Sequence, residues 1–222
     1  GYDAAQNSTE EPVAPAKPPA PGLTGPDSEI ARWKALSDRA NALPGPVRQM
    51  AGNGLMKVVD FQDCAYGETY LDHLDRIVAR DSAGHDWLLS VTAAKYIANA
   101  MAYDDIIRVA DLKTRAPRMA RIQAEMGVKD GQLVEVTEFF HPRAEEIVSL
   151  LPATMGARWE ASPKRMALMD RLFNKGRRLR THSLRSFLLL HFLGGLKGYR
   201  LKTRRHQVEV AHLQQWLEAS LA

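Results

Sequence analysis

At 222 residues, with 45% hydrophobic and 25% charged side chains, the chain has the composition of a folded globular protein and length for one core or for two small helical lobes. Its single cysteine, Cys64, excludes an intramolecular disulfide, a cysteine-based zinc site and an iron–sulfur cluster. The net charge of +4 conceals a segregation: residues 161–205 hold thirteen Lys or Arg and one acid, Asp170, a local charge of +12 that leaves −8 for the remainder.

Residues 1–27 are rich in alanine and proline, with Pro12, Pro15, Pro18, Pro19, Pro21 and Pro26 in the run. Such a run makes an extended, semi-rigid tether with nothing to bury, and an interdomain linker is expected there. A start at Gly1 rather than at methionine, followed at once by this linker, is what a piece trimmed from a longer polypeptide looks like. The first 25 residues hold no apolar run with basic flanks. The longest apolar stretch, Phe187 to Leu196, is interrupted by His191 and too short to span a bilayer, so the cytoplasm is the expected compartment and no membrane partner is expected.

Residues 28–222 are expected to form a mainly α domain of about eight or nine helices in orthogonal or bundle-like packing, with at most one short extended segment. They make either one lobe or two, 28–126 and 127–222. Asp27 and Ser28 can cap a first helix in which Ile30, Trp33, Leu36 and Ala40 recur at helical spacing until Pro44-Gly45. Pro46 opens a second with Val47, Met50, Leu55, Val58 and Val59, which Gly52 and Gly54 weaken by roughly 1 kcal/mol each relative to Ala and open to bending. Asp63 caps a third that carries Tyr66, Tyr70, Leu74, Ile77 and Val78 on one side, ended by Ser82 to Gly84. Asp86 opens a fourth, with Leu88, Leu89, Ala93, Tyr96, Ile97 and Met101 facing inward.

The stretch Tyr103 to Arg115 reads as a helix until Pro117, with charges at ladder spacing from Asp104 to Arg108 and from Asp111 to Arg115. Gln132 to Phe140 alternates in the manner of a short extended segment, and Pro142 then starts a helix through Leu151. Ser162-Pro163 begins another that ends at Gly176. Thr181 or Ser183 caps a very apolar helix to Leu196, and a last helix runs from about Thr203 to Leu221.

Among clusters that carry chemistry, Glu135, Glu138, His141, Glu145 and Glu146 come nearest to a metal or acid–base site. Carboxylates in a first helical turn offset the helix dipole, however, and no third ligand stands at a recognisable spacing. The face formed by Asp104, Arg108, Asp111 and Arg115 reads as a structural ion network; its arginines could otherwise grip a phosphate or carboxylate. Cys64 lacks the His-Asn or His-Asp company of a catalytic thiol and reads as structural. Gly194-Gly195 and Gly198 lack the strand that precedes a phosphate loop and suit close helix packing.

The basic block is the open question. Arg177, Arg178, Arg180 and Arg185 are followed by Lys197, Arg200, Arg204 and Arg205, at both ends of one apolar helix. Clustered in space, these would attract an anionic surface. Three readings stand: a partner-docking surface, plain solvated charge, or nucleic-acid binding, which an absence of recognition helix and interleaved aromatics disfavours.

Four stretches taken together, LMKVVDFQDCAYGETYLDHLDRI (Leu55 to Ile77), MAYDDIIRVADLKTR (Met101 to Arg115), VEVTEFFHPRAEEI (Val134 to Ile147) and KGRRLRTHSLRSFLLL (Lys175 to Leu190), are distinctive. They resemble the helical C-terminal region of the β subunit of bacterial indolepyruvate ferredoxin oxidoreductases, over about residue 44 to the end. The resemblance implies a parent enzyme that oxidatively decarboxylates arylpyruvates, using thiamine diphosphate with magnesium, passing electrons through iron–sulfur clusters to ferredoxin and the acyl group to coenzyme A. It implies no catalytic or cofactor residue here, since neither a Gly-Asp-Gly type diphosphate motif nor cysteine quartets occur. The local role it leaves is assembly: a helical brace on the catalytic subunit of the same enzyme, with the Lys175 to Arg205 region receiving an acidic surface such as that of ferredoxin. Two rivals remain, a nucleic-acid module and a contribution to the active site by Arg108, Arg115 or Arg143.

Overall fold

The first four helices are dictated by apolar stripes that no short helix can bury alone: the second, third and fourth pack on one another, and the first on the second and third. They are α1 (Asp27–Asn41), α2 (Gly45–Phe61), α3 (Cys64–Val78) and α4 (Leu88–Met101). The computed structural model describes residues 23–222 except residue 130, and of Arg177 the backbone alone. Residues 1–22, most of the expected linker, lie outside the described residues.

The remaining elements are α5 (Ile106–Thr114), α6 (Ala116–Glu125), strand β1 (Thr137–Phe140), α7 (Ala144–Ser149), α8 (Ala153–Glu160), α9 (Pro163–Phe173), strand β2 (Arg177–Arg180), α10 (Leu184–Gly195) and α11 (Arg204–Leu221). A 3-10 turn, Leu196–Lys202, joins α10 to α11. The fold is thus mainly helical, with one two-stranded antiparallel ribbon among the described residues. No helix among them is long and apolar enough to cross a membrane.

The main core lies where Val47, Leu55, Val58 and Phe61 of α2 meet Tyr70, Leu74 and Ile77 of α3 and Ala94 and Ile97 of α4. Leu213 and Leu217 of α11 return to complete it. Gly54 explains how α2 approaches so closely: a Cβ there would lie 2.3 Å from the Tyr70 hydroxyl, which donates to the Ala94 carbonyl at 2.9 Å. The residue expected to weaken α2 is a packing device, and α2 continues through it.

The start of α4 differs from expectation. Asp86 and Trp87 both take left-handed backbone, φ 51° and 56°, and the helix begins at Leu88. Its first-turn donors are served from outside, because the Asp81 carboxylate accepts from both the Ser90 amide and the Ser90 hydroxyl at 2.8 Å. The helix is rotated accordingly. Ala93, Ile97 and Met101 face the core, while Leu88, Leu89 and Tyr96, expected to face inward, are exposed.

Three elements have no counterpart in the sequence reading. α6 begins at Ala116 with Pro117 in its first turn, the expected helix over 142–151 is shorter and followed by α8, and β2 pairs with the anticipated extended segment. Asp63 and Thr203 act as N-caps, accepting from the amides of Tyr66 and His206.

Candidate docking surface

Helix α5 is the platform. Its N-cap, Asp105, accepts from the Arg108 amide at 2.6 Å through Oδ1 and from Arg200 Nε at 2.9 Å through Oδ2. The side chains of Arg200 and Asp105 are 1% and 3% exposed. Arg200 is fully engaged: it also donates to the Phe61 carbonyl at 2.6 Å and to Gln62 Oε1 at 3.2 Å, and its guanidinium lies 4.1 Å from the centre of the Phe61 ring. A buried cation is tolerated only with such complete satisfaction. The result pins the 3-10 turn to the end of α2 and the start of α5, which sets α10 against α5.

The expected ion network forms with one change of membership. Asp60 of α2 accepts from Arg108 at 2.7 Å and from Arg115 at 2.9 Å, and Asp111 pairs with Arg115 at 2.6 Å. Asp104 is exposed and makes no ion pair among the described residues; the capping role falls to its neighbour Asp105. Burial raises the Asp60 carboxyl, but Arg108 and Arg115 outweigh it and hold the group below the ordinary carboxylate range. Asp60 is the member that spacing along the chain does not reveal. Forty-eight residues separate it from Arg108, and only the fold brings them together.

The ribbon has two distinct faces. In its register Thr137 stands opposite Arg180, Glu138 opposite Leu179 and Phe139 opposite Arg178. Glu138 is turned toward α5 and α6, ion-paired to Lys113 and Arg118, and Lys113 also lies 5.3 Å from the Phe140 ring. Burial raises Glu138 while the two cations lower it further, so it too ionises below its usual range. By the two-residue period of a strand, Thr137, Phe139, Arg178 and Arg180 share the opposite, exposed face. There Arg178 sits 5.5 Å from the centre of the Phe139 ring.

The basic block is therefore divided. Arg200 is buried and cannot meet a partner, a correction to its place in the candidate surface. Arg204 pairs with Glu160 at 2.8 Å, Arg205 with Glu209 at 2.7 Å, and Lys197 donates to the Asp60 carbonyl at 3.0 Å. Burial lowers the Lys197 ammonium, with Asp60 and Asp111 working against it. By contrast Arg178, Arg180 and Arg185 are exposed and have no carboxylate partner among the described residues. The Arg177 side chain lies outside the described residues.

Helix α10 follows directly, across a turn in which the Ser183 amide and hydroxyl both donate to the Arg180 carbonyl. One side of α10 packs on α5, with Leu190 1% exposed. Gly194 makes that contact close, since a Cβ there would meet the Asp111 Cα at 2.9 Å. The opposite side carries Leu184, Leu188 and Phe192 at four-residue spacing, 71%, 53% and 65% exposed, with Leu189 and Arg185 beside them. A soluble surface rarely leaves a contiguous row of this kind uncovered. The sequence announces the apolar helix but not which face stays outside.

Most other candidates are already engaged. A cleft of about 310 Å³ between α5, β1, α7 and α11 is lined by Lys113, Phe140, His141, Glu146 and Arg205. Lys113 and Arg205 are held by Glu138 and Glu209, and Glu146 accepts from the Arg143 amide at 3.0 Å. Of the arginines considered for an anionic substrate, Arg108 and Arg115 are in the Asp60 network and Arg143 stands exposed at the start of α7. Cys64 is buried, donates to the Glu29 carbonyl at 3.8 Å, and burial raises its thiol pKa. No three His, Cys, Asp or Glu side chains converge among the described residues, so the donor set does not fit a metal or cluster.

Neither a curated protein nor a solved structure matches this chain. A family profile does, over residues 47–221, from the first buried residue of α2 to the end of α11. The chain belongs to DUF6537, a family of unknown function.

Proposed function

We propose that this chain is a helical accessory and assembly domain of the β subunit of a 2-oxoacid (indolepyruvate) ferredoxin oxidoreductase, whose chemistry, from arylpyruvate to acyl-coenzyme A, is run by other parts of the enzyme. The observation that carries the reading is the uncovered face of α10, a row of large apolar side chains beside arginines that have no carboxylate partner among the described residues. Its energetics favour association: desolvating exposed Leu and Phe side chains gives roughly 25 cal/mol per Å² buried, and arginine adds directional contacts.

A second support is where the four resembling stretches lie. The end of α2, then α5, then β1, then β2 with the start of α10 are far apart in sequence, yet ion pairs, the ribbon and the packing of α10 on α5 link them in one chain of contacts. Asp60 joins the first to the second, Glu138 the second to the third, and the ribbon the third to the fourth. A resemblance concentrated in this way fits a common structural unit. Thiamine diphosphate, magnesium, iron–sulfur clusters and coenzyme A belong on this reading to the catalytic subunit, and ferredoxin is the acidic partner of interest.

The test is co-expression with the thiamine-dependent catalytic segment of such an enzyme, followed by affinity purification at low and at high salt. Co-purification that survives high salt is the expected result. Recovery of nucleic acid alone contradicts the reading. One observation favours a second reading, a basic module for nucleic acid without enzymatic role: Phe139 and Arg178 interleave an aromatic ring and a cation on an exposed ribbon. Binding of single-stranded DNA that falls steeply with salt would select it.

A further inference from the structure

The assembly reading leaves the occupant of the surface unspecified, and the inference here rests on that reading. We propose that the outer face of α10, together with the neighbouring arginines, receives an amphipathic helix of a partner polypeptide whose apolar stripe is flanked by carboxylates.

The shape of the surface selects a helix. Leu184, Leu188 and Phe192 form a ridge along the four-residue row of α10, the geometry that interdigitates with a like row on a second helix at an interaxial distance of about 8–10 Å. The ridge ends at Gly195, where nothing beyond the adjoining helix backbone lies within 4 Å of the place a Cβ would occupy, so a neighbour can approach the backbone there. A strand or an extended peptide would need a sheet edge or a groove with alternating pockets, and this face is convex and helical.

The charge selects an acidic helix. Between Asp170 and Glu209 there is no Asp or Glu at all. Arg185 lies on the exposed side of α10 itself, and Arg178 and Arg180 stand across the short turn, each without a carboxylate among the described residues. A second copy of this chain docking two-fold through α10 would bring the same surface to these arginines, and that surface has no carboxylate to offer them, since none occurs between Asp170 and Glu209. Nucleic acid would satisfy the arginines but leave the ridge of Leu184, Leu188 and Phe192 against sugar and phosphate. An acidic amphipathic helix satisfies both halves of the surface at once.

The experiment uses the full chain and a labelled synthetic peptide of about 16 residues, with Leu or Phe at positions one, five, eight and twelve and Glu at most others. Its Lys counterpart and a single-stranded DNA oligonucleotide serve as competing probes, all read by fluorescence anisotropy at low and at high salt. Saturable binding of the acidic peptide is expected, with the Lys peptide binding at least tenfold more weakly. The double variant L188D/F192D should lose peptide binding at least tenfold, and R178E/R180E/R185E should lose most of its salt dependence. Both sets lie on exposed positions, and unchanged melting by circular dichroism separates lost binding from lost fold; should L188D/F192D unfold, F192A alone serves. Failure of the acidic peptide to bind, DNA binding that withstands L188D/F192D, or a dimer that this variant dissociates would each overturn the proposal. If the peptide binds but the catalytic segment does not co-purify, the parent-enzyme reading fails while the surface stands. If the catalytic segment co-purifies with L188D/F192D undiminished, the surface fails while the assembly reading stands.

Discussion

The two halves of the basic block carry the same kind of side chain and do opposite things. In the half after α10, Arg200 is buried against Asp105 and Phe61, Arg204 and Arg205 pair with Glu160 and Glu209, and Lys197 leans on the Asp60 carbonyl. In the half before and within α10, Arg178, Arg180 and Arg185 have no carboxylate partner among the described residues and adjoin an exposed apolar ridge. The buried Arg200 is part of the architecture, and removing it should destabilise the fold. The outward ones contribute little to the fold beyond the exposed contact of Arg178 with the Phe139 ring, and removing them should cost mainly association.

The largest stability effect is therefore expected at Arg200. Arg200→Met leaves Asp105 buried without its partner and should cost about 3–5 kcal/mol in urea denaturation. Removing both charges in Asp105→Asn with Arg200→Met should cost less than the single substitution, and a double variant at least as damaged as the sum would break the claim that the unpaired charge is what hurts. Gly194→Ala comes next, at about 1–3 kcal/mol, because the added carbon has only the Asp111 backbone to displace. Asp81→Ala should cost about 1 kcal/mol by stripping Ser90 and the first turn of α4 of their acceptor, read in the same titration.

A smaller effect is expected on acidification. The folded chain holds Asp60 and Glu138 below their ordinary pKa, burial working against this and the neighbouring cations winning. The unfolded chain therefore binds these protons first, so the contribution is fully present at neutral pH and is lost as the pH falls below about 4 through the depressed folded values. Melting temperature should drop in that window, and Asp60→Asn should flatten the drop. Smallest of all, R178E/R180E/R185E should move stability by about 0.5 kcal/mol or less, since these exposed side chains have no carboxylate partner among the described residues and only Arg178 touches the fold, over the exposed Phe139 ring.

What can be read from the sequence follows from how local each cause is. The helical class, the cap at Asp63, the start of the last helix near Thr203 and the core faces of α2 and α3 rest on spacing within a few residues, and the structure has them. β2 is hidden because Arg177 to Arg180 is a run of charge whose strand character comes from pairing with β1, some forty residues upstream. The burial of Arg200 is hidden for the same reason: nothing near it in sequence distinguishes it from Arg204, and its partner Asp105 lies 95 residues away. Ladder spacing points to Asp104 rather than Asp60 as a member of the ion network, because spacing is visible in sequence and a contact between α2 and α5 is not. The apolar character of α10 is plain, but which of its faces meets α5 is decided by Gly194 and Leu190 together with the pinned turn that follows.

The outer face of α10 with its arginines is, on this account, where the domain meets another protein. Its most direct test is the amount of catalytic segment that co-purifies with the wild-type chain and with L188D/F192D, measured side by side after both are shown to melt alike. The account predicts that the wild type retains the segment through a high-salt wash and the variant does not; equal retention by the two would contradict it.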